Sequence, residues 1–149
     1  MYRHTQPGWT ILAFFLAGLL VVAAIALPKG GTPLVSSVLV FLGVLGVLFH
    51  SMTVTVDDRS VRWHFGPGFW NKEMPIETIE GVGQARNKWY YGWGIRKVPH
   101  GWLYNVSGLS AVEIRAKDRR LIRLGTDEPE ALKRAIESRL HAGGRPDSG

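Results

Sequence analysis

The sequence predicts a two-helix transmembrane hairpin followed by an α+β, mainly β domain of about seven antiparallel strands in two small sheets, capped by a C-terminal helix. Residues 9–27 and 34–51 contain no Asp, Glu, Lys or Arg, and only a Pro-Lys-Gly-Gly-Thr-Pro turn separates them. Short stretches of alternating apolar and polar residues follow, which is the pattern of half-buried strands. The last stretch has helical periodicity instead.

The two uncharged stretches are long enough to cross a bilayer. At about 1.5 Å per residue each forms a helix of roughly 27 to 29 Å, which fits a hydrocarbon core of about 30 Å. A signal peptide is the alternative for the first stretch, because residues 24–26 (Ala-Ile-Ala) have the form of a processing site and Arg3 lies upstream. A signal peptide does not explain the second apolar run. We therefore predict two spans, near residues 9–27 and 34–51.

These boundaries divide the chain into three segments. Residues 1–51 are predicted to be an N-terminal tail and the transmembrane hairpin, residues 52–142 a single domain, and residues 143–149 a disordered tail. The middle segment of roughly 90 residues suffices for one domain and no more.

The charge distribution predicts the orientation. The formal net charge is +6, and the part of the chain from Met52 onward holds 16 of the 18 Lys and Arg and all 12 Asp and Glu. Arg3 precedes the first span, Arg59 and Arg62 follow the second, and Lys29 alone lies between them. Because basic residues favour the cytoplasmic side, we expect an integral protein of the inner membrane with both termini in the cytoplasm. A basic domain there would lie beside anionic lipids.

The predicted domain begins with a β-hairpin. Residues 52–56 and 61–65 each alternate apolar and polar side chains, and residues 57–60 (Asp-Asp-Arg-Ser) form the turn between them. A loop through Phe69 and Trp70 leads to a weaker strand. The remaining strands are predicted at residues 76–82, 89–95, 102–107, 112–116 and 121–124.

The final predicted element is an amphipathic helix. Asp127 and Glu130 have the spacing of a capping box, and Pro129 is tolerated in the first turn. Apolar residues then recur at helical spacing and predict one buried stripe, made of Leu132, Ala135, Ile136 and Leu140.

These elements together resemble a known family. The resemblance is carried by residues 92–96 (Gly-Trp-Gly-Ile-Arg), 101–108 (Gly-Trp-Leu-Tyr-Asn-Val-Ser-Gly) and 125–129 (Gly-Thr-Asp-Glu-Pro). With a two-helix hairpin ahead of the strands and a helix after them, the chain is similar to bacterial membrane proteins that contain a PH-like (pleckstrin-homology-like) domain. The resemblance covers nearly the whole chain and implies a PH-like fold for residues 52–142.

One departure from that family matters for function. PH domains that hold phosphoinositides do so with Lys and Arg in and around the loop between their first two strands, where clustered cations meet phosphates. That loop is residues 57–60 here, and its two carboxylates would repel a polyphosphate headgroup. The resemblance therefore does not carry phosphoinositide binding over to this chain.

The candidate binding surface lies in residues 86–102, where cations interleave with aromatic side chains. Its members are Arg86, Lys88, Trp89, Tyr90, Trp93, Arg96, Lys97 and Trp102. Such a surface can bind a protein partner, anionic lipid headgroups or single-stranded nucleic acid. Membrane tethering and the lack of a recognised motif argue against nucleic acid. The alternative is that the aromatic residues fill the core while the cations face solvent.

The sequence offers no catalytic or cofactor site. The five histidines lack the spacing of a helix-borne metal pair, and the absence of cysteine excludes disulfides, Cys-ligated zinc and thiol nucleophiles. Turn chemistry explains the carboxylates of residues 57 and 58, and a solvated strand face explains those of residues 77 and 80. We therefore expect no enzymatic activity, no metal and no cofactor.

The sequence thus predicts a non-enzymatic, membrane-anchored module that binds or scaffolds a partner at the cytoplasmic membrane surface. The expected partners are the lipid bilayer, a protein partner and, additionally, anionic lipid headgroups. The alternative is an accessory subunit of a membrane enzyme or transport complex, docked through its transmembrane hairpin.

Overall fold

The computed structural model of the chain describes residues 1–99 and 101–143. The helices are α1 (Trp9–Ala26), α2 (Pro33–Phe49) and α3 (Pro129–Gly143). The strands are β1 (Tyr2–Pro7), β2 (Ser51–Val56), β3 (Ser60–Phe65), β4 (Phe69–Pro75), β5 (Ile79–Arg86), β6 (Gly94–Val98), β7 (Gly101–Asn105), β8 (Ser110–Ala116) and β9 (Leu121–Gly125). Short 3₁₀ turns lie at Leu27–Lys29, Ile76–Thr78 and Trp89–Tyr91.

The strands form two sheets. The first has the order β1-β2-β3-β4 and is antiparallel, and the second has the order β5-β8-β9-β7-β6. The predicted hairpin of residues 52–56 and 61–65 is confirmed as β2 and β3, with Val54 opposite Trp63. The second sheet contains one parallel pair, β7 with β9, which the prediction of antiparallel strands throughout did not include. Strand β9 lies between β8 and β7 and pairs antiparallel with β8. Because β8 reverses the chain direction between β7 and β9, these two strands run the same way.

The core lies between the two sheets. It is made of the inward side chains of both sheets together with two residues of α3, including Val54, Trp63, Phe65, Ile114, Leu124, Leu132 and Ile136. Helix α3 packs on β5 and β8, and Leu132 and Ile136 are fully buried, which confirms the predicted apolar face. The helical spacing of the apolar residues therefore correctly predicted which side of α3 faces the core.

Helices α1 and α2 form an apolar hairpin, which here means residues 9–49. It is inserted between β1 and β2, so that both of its ends lie at the same edge of the first sheet, with Pro7 opposite Ser51. The Gly8 amide donates a hydrogen bond of 2.7 Å to the His50 carbonyl oxygen and closes the base of the hairpin. Within the described residues, one helical segment, Trp9–Lys29, has the length and composition to cross a membrane, while α2 has 17 residues and is shorter.

The apolar hairpin packs firmly on the domain at its base. The ring of Phe49 lies 5.2 Å from that of Phe65 and 5.5 Å from that of Phe69. Gly66, which has a φ of +47°, lies so close to the end of α2 that a Cβ atom would stand 2.5 Å from the Leu48 carbonyl oxygen. Only glycine fits there, because both the left-handed backbone and the close approach exclude a side chain. The turn between β3 and β4 is thus held directly against the hairpin.

Four of the sequence predictions differ from the structure in the strands. Residues 2–7, predicted as part of a tail, form β1, because the free edge of β2 accepts a further strand. Residues 69–75, predicted as a loop, form β4. Residues 89–95, predicted as one strand, divide into a 3₁₀ turn and the start of β6. Within the described residues the domain consequently has nine strands, where about seven were predicted from their apolar and polar alternation.

The start of α3 also differs from the prediction, whereas the end agrees in part. Asp127 and Glu130 do not form a capping box, because the Asp127 carboxylate contacts His4 at 2.6 Å and that of Glu130 pairs with Arg134 at 3.0 Å. The helix begins at Pro129, and the Glu128 carbonyl accepts its first bond from the Leu132 amide. Gly143, predicted to begin the tail, is the last residue of α3, and residues 144–149 lie outside the described part.

Candidate functional site

The structure divides the eight candidate residues into two separate surfaces. Six of them, Arg86, Lys88, Trp89, Tyr90, Trp93 and Arg96, belong to a connection that we call the hairpin-side loop, residues 86–96, because it lies beside the base of the apolar hairpin. The other two, Lys97 and Trp102, face each other across β6 and β7 at the opposite end of these strands. The sequence placed all eight in one surface because they are close along the chain.

Local backbone geometry explains why the hairpin-side loop is not a strand. The Asn87 amide donates to the Leu109 carbonyl oxygen at 2.7 Å, which ends β5, and the Tyr91 amide donates to that of Lys88 at 3.0 Å, which closes a 3₁₀ turn. Gly92 and Gly94 then adopt φ values of +69° and +96°, which L side chains rarely adopt. These two glycines turn the chain back into β6, and the aromatic residues before them lose strand geometry.

Three contacts hold the hairpin-side loop and the connection between β7 and β8 against β1 and the first turns of α1. The ring of Trp93 lies 5.4 Å from that of Phe14, an exposed residue of α1. The hydroxyl of Thr10 lies 3.0 Å from that of Ser107, and the Gln6 side-chain amide donates to the Ser107 carbonyl oxygen at 3.1 Å. Both connections at this end of the second sheet are therefore held beside the first turns of α1.

The tip of the hairpin-side loop is exposed and carries aromatic and cationic groups together. The side chains of Trp89 and Tyr90 are 76% and 56% exposed. The Lys88 ammonium lies 5.5 Å from the Tyr90 ring, and a hydrogen bond to Tyr90 raises the pKa of Lys88. Arg96 folds back toward the loop, with its Nε donating to the Trp93 carbonyl oxygen at 3.3 Å. The predicted core role for alternate aromatic residues does not apply to Trp89 and Tyr90.

A second surface, which we call the sheet groove, opens between the β3–β4 side of the first sheet and the β6–β7–β9 side of the second. It has a volume of about 420 Å³ and is lined by Trp63, Trp70, Lys72, Glu73, Ile95, Trp102, Tyr104, Arg120, Leu121 and Ile122. β4 and β6 are the edge strands of their sheets. The groove therefore lies between two sheet edges. Unpaired backbone groups of the edge strands border its base, which is made of aromatic side chains.

Aromatic side chains dominate the sheet groove. Trp70 and Trp102 are each 48% exposed, whereas Trp63 beneath them is buried and meets Tyr104 edge to face at 5.3 Å. Burial raises the pKa of the Tyr104 hydroxyl. The Lys72 ammonium lies 5.8 Å from the Trp70 ring, and Lys97 is the cross-strand neighbour of Trp102. Cations thus stand beside both exposed indoles.

Sequence reasoning missed most of the sheet groove, since Trp102 is the one lining residue among the eight candidates. It included Lys97 and Trp102 but treated Trp70 as part of a loop and left Lys72 out. A local signal existed, because two aromatic residues directly follow Gly-Pro-Gly, where a turn ends and a strand begins. Trp70 also adopts a φ of +52°, an unusual value for a bulky residue, and this turns its strand at the mouth of the groove.

Two of the four carboxylates considered for acid and base chemistry, those of Asp57 and Asp58, have structural partners. Asp57 accepts hydrogen bonds from the Arg59 and Ser60 amides at 2.9 and 2.7 Å, and these bonds hold the pKa of its carboxyl below the ordinary value. Asp58 lies 3.2 Å from Arg139 of α3. Among the described residues, no group of three or more His, Asp or Glu side chains is placed to hold a metal ion.

Comparison with known proteins gives no relative from which a role could be transferred. The chain matches no protein-family model, no curated protein and no solved structure.

Proposed function

We propose that the chain is a non-enzymatic, membrane-anchored module that binds or scaffolds a protein partner at the cytoplasmic membrane surface, through a β domain with a PH-like fold. The observation that carries this proposal is the sheet groove. It is an open groove lined mainly by aromatic and aliphatic side chains, on a domain fixed to an apolar hairpin.

The membrane anchor is supported by exposure and by length. Ile11 is the one buried residue of α1, and Gly46 is the one buried residue of α2. Two helices so apolar and so exposed would be costly in water, and a bilayer removes that cost. At about 1.5 Å per residue, 21 residues and 17 residues give about 32 Å and about 26 Å, both compatible with a hydrocarbon core.

The two-span arrangement is supported by β1. This strand lies before the apolar hairpin but pairs with β2 after it, so the chain must enter and leave the membrane on the same side. An even number of crossings satisfies that condition, and two helices provide it. Cleavage after residue 26, the signal-peptide alternative, would remove β1 from its sheet. The basic residues outside the hairpin favour the cytoplasm for this side.

The PH-like assignment is supported by two small sheets packed face to face and by a helix whose apolar stripe closes the core. The domain departs from a simple arrangement of seven antiparallel strands in two ways. It has two additional strands, β1 from ahead of the apolar hairpin and β4, and β7 pairs in parallel with β9.

The chemistry of the sheet groove favours a protein segment as its ligand. Exposed indoles with a buried aromatic floor are typical of residues that dominate binding energy in protein interfaces. The edge strands β4 and β6 can pair with an extended peptide, which is a common mode of recognition. Lys72 and Arg120 line the groove and Lys97 is the cross-strand neighbour of Trp102, whereas Glu73 is the one acidic residue of the lining. This balance of charge favours a segment that carries acidic side chains.

A pair of tryptophan variants tests the proposal. Trp102→Ala should abolish recovery of the partner when the full chain is purified in mild detergent, because truncation of a central interface indole costs about 2 kcal/mol or more, or roughly 30-fold in affinity. Trp89→Ala is the matched control, since Trp89 is more exposed but lies in the hairpin-side loop. Equal recovery of the partner by both variants would contradict the sheet groove as the binding site.

The accessory-subunit alternative is favoured by a different observation. One face of the apolar hairpin carries an open apolar depression of about 470 Å³, lined by Leu12, Phe15, Leu16, Leu19, Leu42, Gly43, Gly46, Val47 and His50. Small residues such as Gly43 admit a neighbouring helix closely. Exchanging residues 9–49 for an unrelated two-helix anchor distinguishes the two functions, because partner recovery would survive if the sheet groove binds the partner and would be lost if the hairpin does.

A further inference from the structure

The hairpin-side loop lies at a defined depth along α1. Phe14, which the Trp93 ring contacts, is the fifth residue after Trp9. At about 1.5 Å per residue, Phe14 is about 7.5 Å along the axis from Trp9 toward the middle of the helix. Trp9 is itself exposed at the first turn, where an aromatic residue marks the edge of the hydrocarbon core. Trp93, which contacts Phe14, therefore reaches the outer part of the hydrocarbon core, directly below the lipid headgroups, and the loop that carries it meets the headgroup layer.

The chemistry of the hairpin-side loop fits that position. Indole and phenol rings are enriched at membrane interfaces because one end of each is apolar and the other forms hydrogen bonds. Arg86, Lys88 and Arg96 provide three cations in the same loop. No Asp or Glu occurs between Glu80 and Glu113, so no acidic residue of this stretch offsets the positive charge. Anionic lipids attract such clusters.

We propose that the hairpin-side loop is embedded in the headgroup layer of an anionic leaflet, with Trp89 and Tyr90 between the lipids and the three cations beside their phosphates. This inference rests on the proposed insertion of the apolar hairpin and adds a second attachment point to it. Two attachment points fix the orientation of the domain on the membrane. The sheet groove, whose Trp102 lies at the other end of β6 and β7, is then held away from the lipid and open to the cytoplasm.

Site-directed spin labelling of the full chain in anionic vesicles tests this inference, and the absence of cysteine makes every introduced label unique. Tyr90→Cys reports on the hairpin-side loop, Leu20→Cys on the middle of α1, and Trp102→Cys on the sheet groove. The measurement compares the collision of each nitroxide with oxygen, which concentrates in the bilayer, and with a water-soluble nickel complex. We expect the label at position 90 to lie between the oxygen-accessible label at position 20 and the water-accessible label at position 102.

The outcomes separate this inference from the proposed function. A label at position 90 as accessible to the nickel complex as that at position 102, with position 20 still protected, would overturn the embedded loop and leave the membrane anchor intact. A water-accessible label at position 20 would overturn insertion and the embedded loop together. Charge is tested by Lys88→Glu in the Tyr90→Cys background, which should move the label toward water in anionic vesicles. An unchanged label depth in that variant would overturn the contact with anionic headgroups.

Discussion

Contacts between individual side chains join β1 to the segment that precedes α3. The Tyr2 hydroxyl donates a hydrogen bond of 3.4 Å to the Glu128 carboxylate, and the His4 ring contacts Asp127 at 2.6 Å. Both pairs connect β1 to the segment that leads into α3. Burial, followed by the nearby charges of Glu128 and Asp127, raises the pKa of Tyr2 to about 12. A phenol in this position is stabilised in its protonated form.

This pKa predicts a loss of stability at alkaline pH. The folded state holds the Tyr2 proton more tightly than the unfolded chain, whose phenol titrates near 10.0. The stabilisation is therefore complete below pH 10.0 and is lost as the pH rises through about 12. Tyr2→Phe, which has no proton to lose, should show a smaller decline in the free energy of unfolding over this window than the wild type. Parallel declines in denaturant titrations of the two proteins would contradict the prediction.

The sequence could predict local side-chain roles but not distant ones. Asp57 and Ser60 in a short polar segment between two alternating stretches predicted a turn, and the structure confirms it through the bonds to the carboxylate of Asp57. The contact between His4 and Asp127 joins residues that are 123 positions apart. No periodicity or spacing encodes such a contact, because it depends on where the sheets place β1.

At the scale of elements, α3 is the clearest case of sequence patterning. Leu132 and Ile136 are fully buried, while Lys133 stands between them in sequence and pairs with Glu137 at 3.5 Å. Leu132→Ala or Ile136→Ala should each cost about 2 to 5 kcal/mol of unfolding free energy, because the cavity cannot collapse between two sheets. Lys133→Ala should cost within about 0.5 kcal/mol, since an exposed pair of this kind contributes little. Denaturation of the full chain in detergent measures all three, and equal losses would contradict the assigned face.

The elements that sequence patterning missed share a physical cause. β1 and β4 are edge strands, so each pairs on one side alone and buries few residues. Their sequences, Tyr-Arg-His-Thr-Gln-Pro and Phe-Trp-Asn-Lys-Glu-Met-Pro, accordingly lack a regular apolar face. Alternation of apolar and polar residues indicates that one face of a strand is buried in the core. Edge strands that are held mainly by backbone pairing do not need this alternation.

At the scale of the whole molecule, the apolar hairpin and the domain form one unit whose orientation can be tested. Because β1 and the domain share a sheet, the C-terminus reports the side of both. A fluorescent reporter that is active in the cytoplasm, fused at Gly149, should be active, and a phosphatase that is active in the periplasm should be silent there. The reverse pattern would contradict the cytoplasmic assignment and favour a translocated domain.

The candidate site was predictable in composition but not in arrangement. The mixture of cations and aromatic residues in residues 86–102 identified an exposed surface, and Trp89, Tyr90 and Trp102 are indeed exposed. Its division into two surfaces falls within β6, where Arg96 folds back to the Trp93 carbonyl oxygen while its neighbour Lys97 lies opposite Trp102. The contribution of β4 to the sheet groove depends on how the two sheets pack, which is a property of the tertiary structure.

The insertion of the apolar hairpin between β1 and β2 has a consequence for the order of folding. β1 is synthesised before both helices, yet its partner strand β2 follows them. In the proposed two-span arrangement, the first sheet can close only after the hairpin has returned to its starting side. If one helix failed to insert, β1 and β2 would be separated by the membrane, and Tyr2 could not reach Glu128. In that arrangement, closure of the first sheet would mark a chain in which both helices have inserted.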